Sequence, residues 1–287
     1  ERPAAPRTSQ WRVAADSPPT AIPPPQHLHR EIASVAIRNL KAIDELNLIL
    51  PERRARRSGA TCLMLLGENA VGKSTTLCGI ALALIGTKAA RRLGRKTSDL
   101  ARSVAPDGWD QAGAPKVEVE VRFHGAEDPA VFTFDPANRR ITGTPEAATL
   151  VLGYGARRRF KRGATATGWP SHVRSLFDSD AAIPHPGAWL ATLSPERFDV
   201  VARALRSVLP GVDDDVFTQD ADKNVLVSAH GQRTPIDHLS EGYQSMFILV
   251  VDIIKQMLTL WPNLEQAQGV VLIDEIETHL HPRWTLG

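Results

Sequence analysis

Two neighbouring segments near the start of the chain have apolar patterns that are typical of strands. Leu46, Leu48 and Leu50 occupy strictly alternate positions, and apolar residues recur in a strand-like way through residues 32–40; we expect a turn between the two strands near Asp44. Residues 117–123 alternate in the same way and begin a small antiparallel sheet. Further short strands are predicted at residues 131–134, 139–142 and 150–152.

Continuous apolar runs predict buried elements elsewhere. Residues 61–66 and 270–273 are almost entirely apolar, as in strands of a parallel sheet that is covered on both faces. Residues 73–85 are apolar nearly all round and precede Gly86, which predicts a buried helix with a glycine C-cap. Helical spacing predicts two more helices, at residues 195–209 and 244–261. The expected fold is therefore α/β, with a mixed central sheet, an antiparallel β subdomain and a helical subdomain.

The chain divides into a proline-rich start and one long domain. Residues 1–30 carry seven prolines and are either an extended tether or a frayed terminus. Residues 31–287 form the domain, within which residues 87–238 are an intervening β and helical part.

Composition narrows the classes of protein. With 43% apolar residues the chain can bury a core, and two cysteines cannot make a disulfide scaffold. The formal charge of +2 is too small to imply nucleic-acid or membrane binding by bulk electrostatics. No uninterrupted apolar run approaches the roughly 20 residues that span a bilayer, and no secretory signal opens the chain. We expect a cytoplasmic protein without a membrane partner, with Cys62 and Cys78 reduced and buried.

Residues 67–74 match the phosphate-binding pattern G-x-x-x-x-G-K-[ST] between an apolar run and a helix. Gly67 and Gly72 allow the backbone to wrap around phosphates, and the helix N-terminus attracts the anion. Lys73 would reach the β- and γ-phosphates, and Ser74 would offer its hydroxyl to Mg²⁺. The predicted nucleotide-binding residues of this loop are Gly67, Glu68, Asn69, Ala70, Val71, Gly72, Lys73, Ser74 and Thr75.

Two carboxylates follow the apolar run at residues 270–273. In a parallel sheet, the carboxyl end of such a strand lies beside the phosphate loop. Asp274 is therefore a candidate Mg²⁺ ligand, and Glu275 a candidate for orienting or deprotonating the attacking water. A solvated acidic turn is the alternative.

The sequence L-S-E-G-Y-Q, residues 239–244, precedes the last predicted helix. Ser240 is a good N-cap, and Gly242 lets another surface approach closely. The alternatives at this point are an anion site at the helix N-terminus and an ordinary capped helix.

Together these motifs resemble the ABC-type ATPase superfamily, whose signature is L-S-G-G-Q. The opening I-A-S-V-A-I-R-N-L and the ending L-I-D-E-I-E-T-H-L-H-P, residues 272–282, resemble the RecF/SMC/OLD-like branch. Residues 151–160 and 176–193 are similar to segments of stand-alone ATPases of bacterial anti-phage defence systems, of the Septu-like type. The resemblance implies a P-loop ATPase head that binds ATP and Mg²⁺, with Lys73 and Glu275 as catalytic residues.

The resemblance also implies a head-to-tail homodimer, in which Ser240 and Gly242 of one subunit contact the γ-phosphate held by the other. Four features depart from the family. Glu241 replaces a glycine of the signature, and no long coiled coil interrupts the chain. No Q-loop glutamine can be assigned, and the chain stops at Gly287, before the switch histidine expected downstream.

A basic cluster follows the predicted strand at residues 150–152. The cluster consists of Arg157, Arg158, Arg159, Lys161 and Arg162. Two interpretations are open: a contact with DNA, RNA or nucleotide phosphates, and a solvated basic loop.

The favoured function is an ATPase that controls a partner or fused effector, for example a nuclease, in anti-phage defence. The alternatives are a RecF-like DNA repair ATPase, a transporter's nucleotide-binding subunit, and a binding module in which ATP holds the dimer together.

Overall fold

A computed structural model describes residues 31–52, 62–68, 70–93, 115–161, 171–208, 217–220, 224–229 and 232–276. Its strands are β1 (Ile32–Leu40), β2 (Ile43–Ile49), β3 (Val117–Phe123), β4 (Ala130–Asp135), β5 (Arg140–Gly143), β6 (Val151–Tyr154), β7 (Arg159–Lys161), β8 (Ala182–Pro184), β9 (Phe217–Gln219), β10 (Val225–Ala229), β11 (Gln232–Pro235) and β12 (Val270–Ile273). Its helices are α1 (Lys73–Ile85), α2 (Thr87–Arg92), α3 (Arg174–Phe177), α4 (Gly187–Thr192), α5 (Pro195–Val208) and α6 (Glu241–Leu260). The fold is mixed α/β. The predicted tether, residues 1–30, lies outside the described residues.

The two predicted antiparallel units form one five-stranded sheet in the order β2-β1-β3-β4-β5. β1 pairs with both β2 and β3, so that Ile37 lies opposite Leu46 on one side and Val119 on the other. The predicted turn position near Asp44 is wrong, because Asp44 lies within β2 and the chain turns at residues 41–42. Lys41 takes the positive φ of 49° that so short a connection requires.

Helix α1 packs on this sheet through its small residues. A Cβ at Gly79 would lie 2.9 Å from Leu40 Cδ2 and 3.2 Å from Ile37 Cδ1, so the helix approaches the sheet closely at this point. The predicted C-cap is confirmed, since Gly86 ends the helix at φ 81°. A Cβ there would meet the Glu146 carbonyl at 2.4 Å, which leaves room only for glycine.

A second core lies between β6, α5 and α6, where Leu152, Val201, Leu205 and Leu249 are buried. Of the described helices, α6 alone is long and apolar enough to cross a bilayer, which the sequence did not predict. More than half of it is buried inside the protein, as in the core helix of a soluble domain. A three-stranded sheet, β11-β10-β9, completes this half.

Parallel pairing is confined to two pairs among the described strands, β6 with β12 and β7 with β8. The strand predicted at residues 61–66 is not found, because residues 62–68 have no regular secondary structure. Leu63, Met64 and Leu66 are 52%, 66% and 83% exposed. Cys62 is likewise exposed rather than buried as expected, whereas Cys78 is buried. An apolar run is buried as a strand only where neighbouring strands pair with it, and no described strand pairs with this one.

Candidate nucleotide site

The predicted phosphate loop lies directly before α1 with the backbone geometry that the motif requires. Gly72 is the N-cap at φ 101°, and Ala70 also has a positive φ of 67°. No side chain caps the helix, so its first N–H groups point toward the loop without a side-chain acceptor. A Cβ at Gly67 would lie 3.0 Å from Val71 Cγ2. Asn69 lies outside the described residues.

The ammonium group of Lys73 lies within this loop. Lys73 Nζ donates hydrogen bonds to the Gly67 carbonyl at 2.6 Å and to the Glu68 carbonyl at 2.7 Å. Further along the helix, Thr76 Oγ1 donates to the Gly72 carbonyl at 3.0 Å and fixes the first turn. A cation and an uncapped helix N-terminus therefore point into one loop, which is the arrangement that binds a polyphosphate.

Asp274 follows β12 and is 9% exposed. Burial raises the pKa of the Cys78 thiol to about 12; nearby Lys41 opposes this shift, and the Asp274 carboxylate adds to it. β12, the strand directly before Asp274, contacts α1, and its Leu272 lies in the same buried core as Cys78. Because residues four apart share one face of a helix, Ser74 lies on the same side of α1 as Cys78. The structure thus places the second carboxylate motif beside the helix that carries Ser74.

Glu275 is exposed and has a positive φ of 44°. A non-glycine residue in this region costs roughly 1–2 kcal/mol and is common at functional sites. The chain therefore turns sharply as it leaves β12, directly after Asp274.

Part of the predicted basic cluster is buried. Arg158 is 7% exposed, and its Nη2 donates to the Asp274 carbonyl at 2.6 Å. Arg158 is therefore not part of a solvated loop, and it is not exposed as a contact with DNA or RNA would require. Because β6 pairs with β12, the loop after β6 lies next to Asp274 and Glu275. Arg157 is exposed, whereas the side chains of Arg159 and Lys161, and all of Arg162, lie outside the described part.

The signature-like segment begins α6. Ser240 is the N-cap, as predicted, and its Oγ accepts from the Tyr243 N–H at 3.4 Å. The helix begins at Glu241, three residues earlier than the apolar pattern indicated, so Gly242 is in its first turn. The predicted contact of Ser240 and Gly242 is with phosphate on a second subunit, and it stays a prediction.

A polar cavity of about 340 Å³ lies between β6, the 171–184 segment and α6. Inside it, Tyr154 Oη donates to Asp252 Oδ2 at 2.9 Å, and Gln256 Nε2 donates to Asp252 Oδ1 at 3.1 Å. His172 also lines the cavity. Nothing in the sequence indicated this cluster, because its members come from three distant segments.

No protein-family model matches the sequence. It is 29% identical to a Septu protein PtuA of Bacillus mycoides (strain KBAB4), over 90% of this chain and 35% of that protein. The chain is thus similar to a Septu PtuA protein, and it is also similar to retron proteins that are named probable ATPases. It is 32% identical to the Retron Vc95 probable ATPase of Vibrio cholerae serotype O1 biovar El Tor, over 30% of this chain and 17% of that protein. The Retron Ec83 probable ATPase of Escherichia coli is 31% identical over 32% of this chain and 18% of its own length.

This chain therefore spans about a third of the length of the Septu relative and less than a fifth of the retron relatives named above. This similarity agrees with the resemblance of the motifs to ABC-type ATPases of anti-phage defence, and the two retron relatives are named probable ATPases.

Proposed function

We propose that this chain is the head of an ABC-type ATPase that binds ATP with Mg²⁺ and hydrolyses it. The observation that carries the proposal is the loop before α1, where the Lys73 ammonium and the helix N-terminus point into one turn. The position of Asp274 beside α1 supports it further, since phosphoryl transfer needs a carboxylate near the phosphate loop.

Each residue then has a separate role. The backbone of residues 67–75 holds the phosphates, and Lys73 compensates the charge of the β- and γ-phosphates. The Ser74 hydroxyl and the Asp274 carboxylate are oxygen ligands of the kind that Mg²⁺ prefers, and β12, the strand directly before Asp274, contacts α1. When bound, Mg²⁺ would neutralise charge that develops on the phosphate oxygens. Glu275, which is exposed after the sharp turn, accepts a proton from the attacking water.

In this proposal the complete site forms between two copies. Ser240 and Gly242 of one copy contact the γ-phosphate held by the other, and hydrolysis reopens the dimer. The exposed Ser240 at the start of α6 supports this arrangement, because a helix N-terminus attracts anions. The two states of the dimer would control a partner or effector in the cytoplasm, for example a nuclease. The names of the relatives favour anti-phage defence over RecF-like repair.

Substitution of Lys73 tests the nucleotide site. Lys73→Ala should abolish ATP binding in a direct titration, because the phosphates lose their cationic partner. Lys88→Ala is the matched control, since Lys88 is an exposed lysine that forms a surface ion pair with Glu146. Equal ATP affinity of Lys73→Ala and the parent would contradict the proposal.

Glu275→Gln separates binding from hydrolysis. The variant should bind ATP normally and accumulate as a closed dimer, because the amide cannot accept the proton. The dimer is measured by light scattering with and without ATP. Hydrolysis at the parental rate would remove Glu275 from the mechanism.

Mixing two inactive variants tests whether the site is shared. In a heterodimer of Lys73→Ala with Ser240→Arg, one of the two sites keeps both Lys73 and Ser240. The mixture should therefore hydrolyse ATP although neither variant does so alone. Mixed dimers that form but stay inactive would count against a site completed by Ser240.

A further inference from the structure

Arg158 lies in the loop between β6 and β7, and its guanidinium group reaches the residues that follow β12. It is buried, and its Nη2 donates at 2.6 Å to the Asp274 carbonyl and at 3.4 Å to the Glu275 carbonyl. Its partners are therefore the backbone of the two residues to which the proposed function gives the Mg²⁺ and water-activating roles. The sequence separation of 116 residues shows that the contact depends on the pairing of β6 with β12.

The β-sheet cannot hold this turn by itself. The parallel register between β6 and β12 ends with Tyr154 opposite Ile273, and the Asp274 N–H then donates to the Tyr154 carbonyl at 2.8 Å. Beyond that bond, Glu275 takes a positive φ of 44°, which strand geometry does not allow. The carbonyls of Asp274 and Glu275 are consequently oriented toward the donor that Arg158 supplies.

The guanidinium group of Arg158 reaches both carbonyls through one nitrogen. Its Nη2 donates to the Asp274 carbonyl and, at a longer distance, to the Glu275 carbonyl, and the rigid planar group keeps this donor in a fixed direction. Hydrogen bonds from a charged donor are roughly twice as strong as those between neutral groups. The contact can therefore stabilise a backbone conformation that costs energy at Glu275.

We propose that Arg158 is a positioning residue for hydrolysis: it fixes the turn at Asp274 and Glu275, and so orients both carboxylates toward the phosphate loop. The inference rests on the proposed ATPase function. It replaces the nucleic-acid contact that the sequence suggested for this arginine. The phosphate loop belongs to a different segment, so Arg158 affects the chemical step and leaves nucleotide affinity unchanged.

The test compares turnover with affinity in Arg158→Gln and Arg158→Lys. Loss of a residue that orients a catalytic ligand typically reduces activity about 10- to 100-fold. We expect Arg158→Gln to lower kcat by at least about tenfold, and Arg158→Lys, which keeps the charge and fewer donors, to lower it less. The ATP dissociation constant should stay within about twofold, since phosphate binding is supplied by the loop before α1. Arg203→Gln is the control. Arg203 is exposed on α5 and is far along the chain from both the phosphate loop and the Asp274–Glu275 turn.

A further readout distinguishes positioning from a general loss of structure. In Arg158→Ala, low millimolar guanidinium should restore part of kcat, whereas the same concentration of sodium should not. If both Arg158→Ala and Arg158→Gln fail to fold, Arg158→Lys decides the question through its ratio of kcat to affinity.

The outcomes separate the two proposals. A parent protein that binds and hydrolyses no ATP would contradict the proposed function itself. An active parent with unchanged kcat in Arg158→Gln, or in Arg158→Lys where the Gln and Ala variants do not fold, would overturn only the role of Arg158. Parallel losses of kcat, ATP affinity and melting temperature would also overturn it, because they would show a general structural role.

Discussion

The hydrogen bond between Tyr154 and Asp252 connects β6 to α6. Tyr154 ends β6 beside β12, and Asp252 lies in the middle of α6, whose first turn carries the signature-like segment. Their side chains meet at 2.9 Å, and the residues are 2% and 7% exposed. Burial first, and then the Asp252 carboxylate, raise the pKa of Tyr154 well above its ordinary value, so the phenol stays a donor.

Tyr154→Phe removes this hydroxyl and keeps the ring. A hydrogen bond to a charged group contributes about 1.5–3 kcal/mol net, and its loss leaves the buried Asp252 carboxylate with only Gln256 as hydrogen-bond donor among the described residues. We therefore expect the free energy of unfolding to fall by about 2 kcal/mol. For a domain of this size, that lowers the melting temperature by roughly 4–8 °C.

Urea denaturation measures the loss, and a double-mutant cycle with Asp252→Asn assigns it to the pair. The coupling energy should be about 1–2 kcal/mol, because the two side chains are in direct contact. A coupling energy near zero would refute the reasoning, even if each single variant were destabilised. It would mean that the cost arises from general burial of polar atoms.

Three further predictions concern titration, thiol chemistry and the loop. Burial lowers the pKa of His172 below its usual 6.5, so on acidification the unfolded chain binds a proton before the folded protein does. The free energy of unfolding should therefore fall as the pH drops below about 6.5. His172→Gln should reduce this pH dependence, as measured by urea denaturation between pH 7 and pH 5. Iodoacetamide at pH 8 should alkylate the exposed Cys62 and spare the buried Cys78. The Cys78 pKa of about 12 makes its thiolate roughly a thousandfold rarer than that of an ordinary thiol. Equal alkylation rates of the two cysteines would contradict this prediction. Gly72→Ala should weaken ATP binding and stability by roughly 1–2 kcal/mol, because φ 101° is strained for alanine; an unchanged melting temperature would argue against the loop geometry.

Local patterns predicted most of the secondary structure correctly. The alternation of residues 117–123 became a strand whose Val117, Val119 and Val121 are buried. The helices predicted at residues 73–85 and 195–209 match α1 and α5 within a residue. Such patterns predict strands and helices correctly because each of these elements has one exposed face and one covered face. The residues that form the two faces are neighbours along the chain, so the pattern is visible in the sequence.

The candidate site was only partly predictable. The phosphate loop is local, so its glycines, Lys73 and the following helix could be read from consecutive residues. The environment of Arg158 could not, because a run of arginines has the composition of a solvated loop. Its burial follows from the pairing of two strands that lie more than 100 residues apart along the chain.

The two apolar runs that precede the candidate motifs show why composition does not determine burial. Residues 270–273 pair with β6, and Leu272 is 6% exposed. Residues 62–66 are also entirely apolar, yet Leu66 is 83% exposed, since no described strand supplies hydrogen-bond partners for that backbone. A partner strand, rather than hydrophobicity, therefore decides which run is covered. Alkylation of Cys62 measures this difference directly: rapid reaction fits the exposed segment, and protection would mean that the strand predicted from the sequence forms in solution.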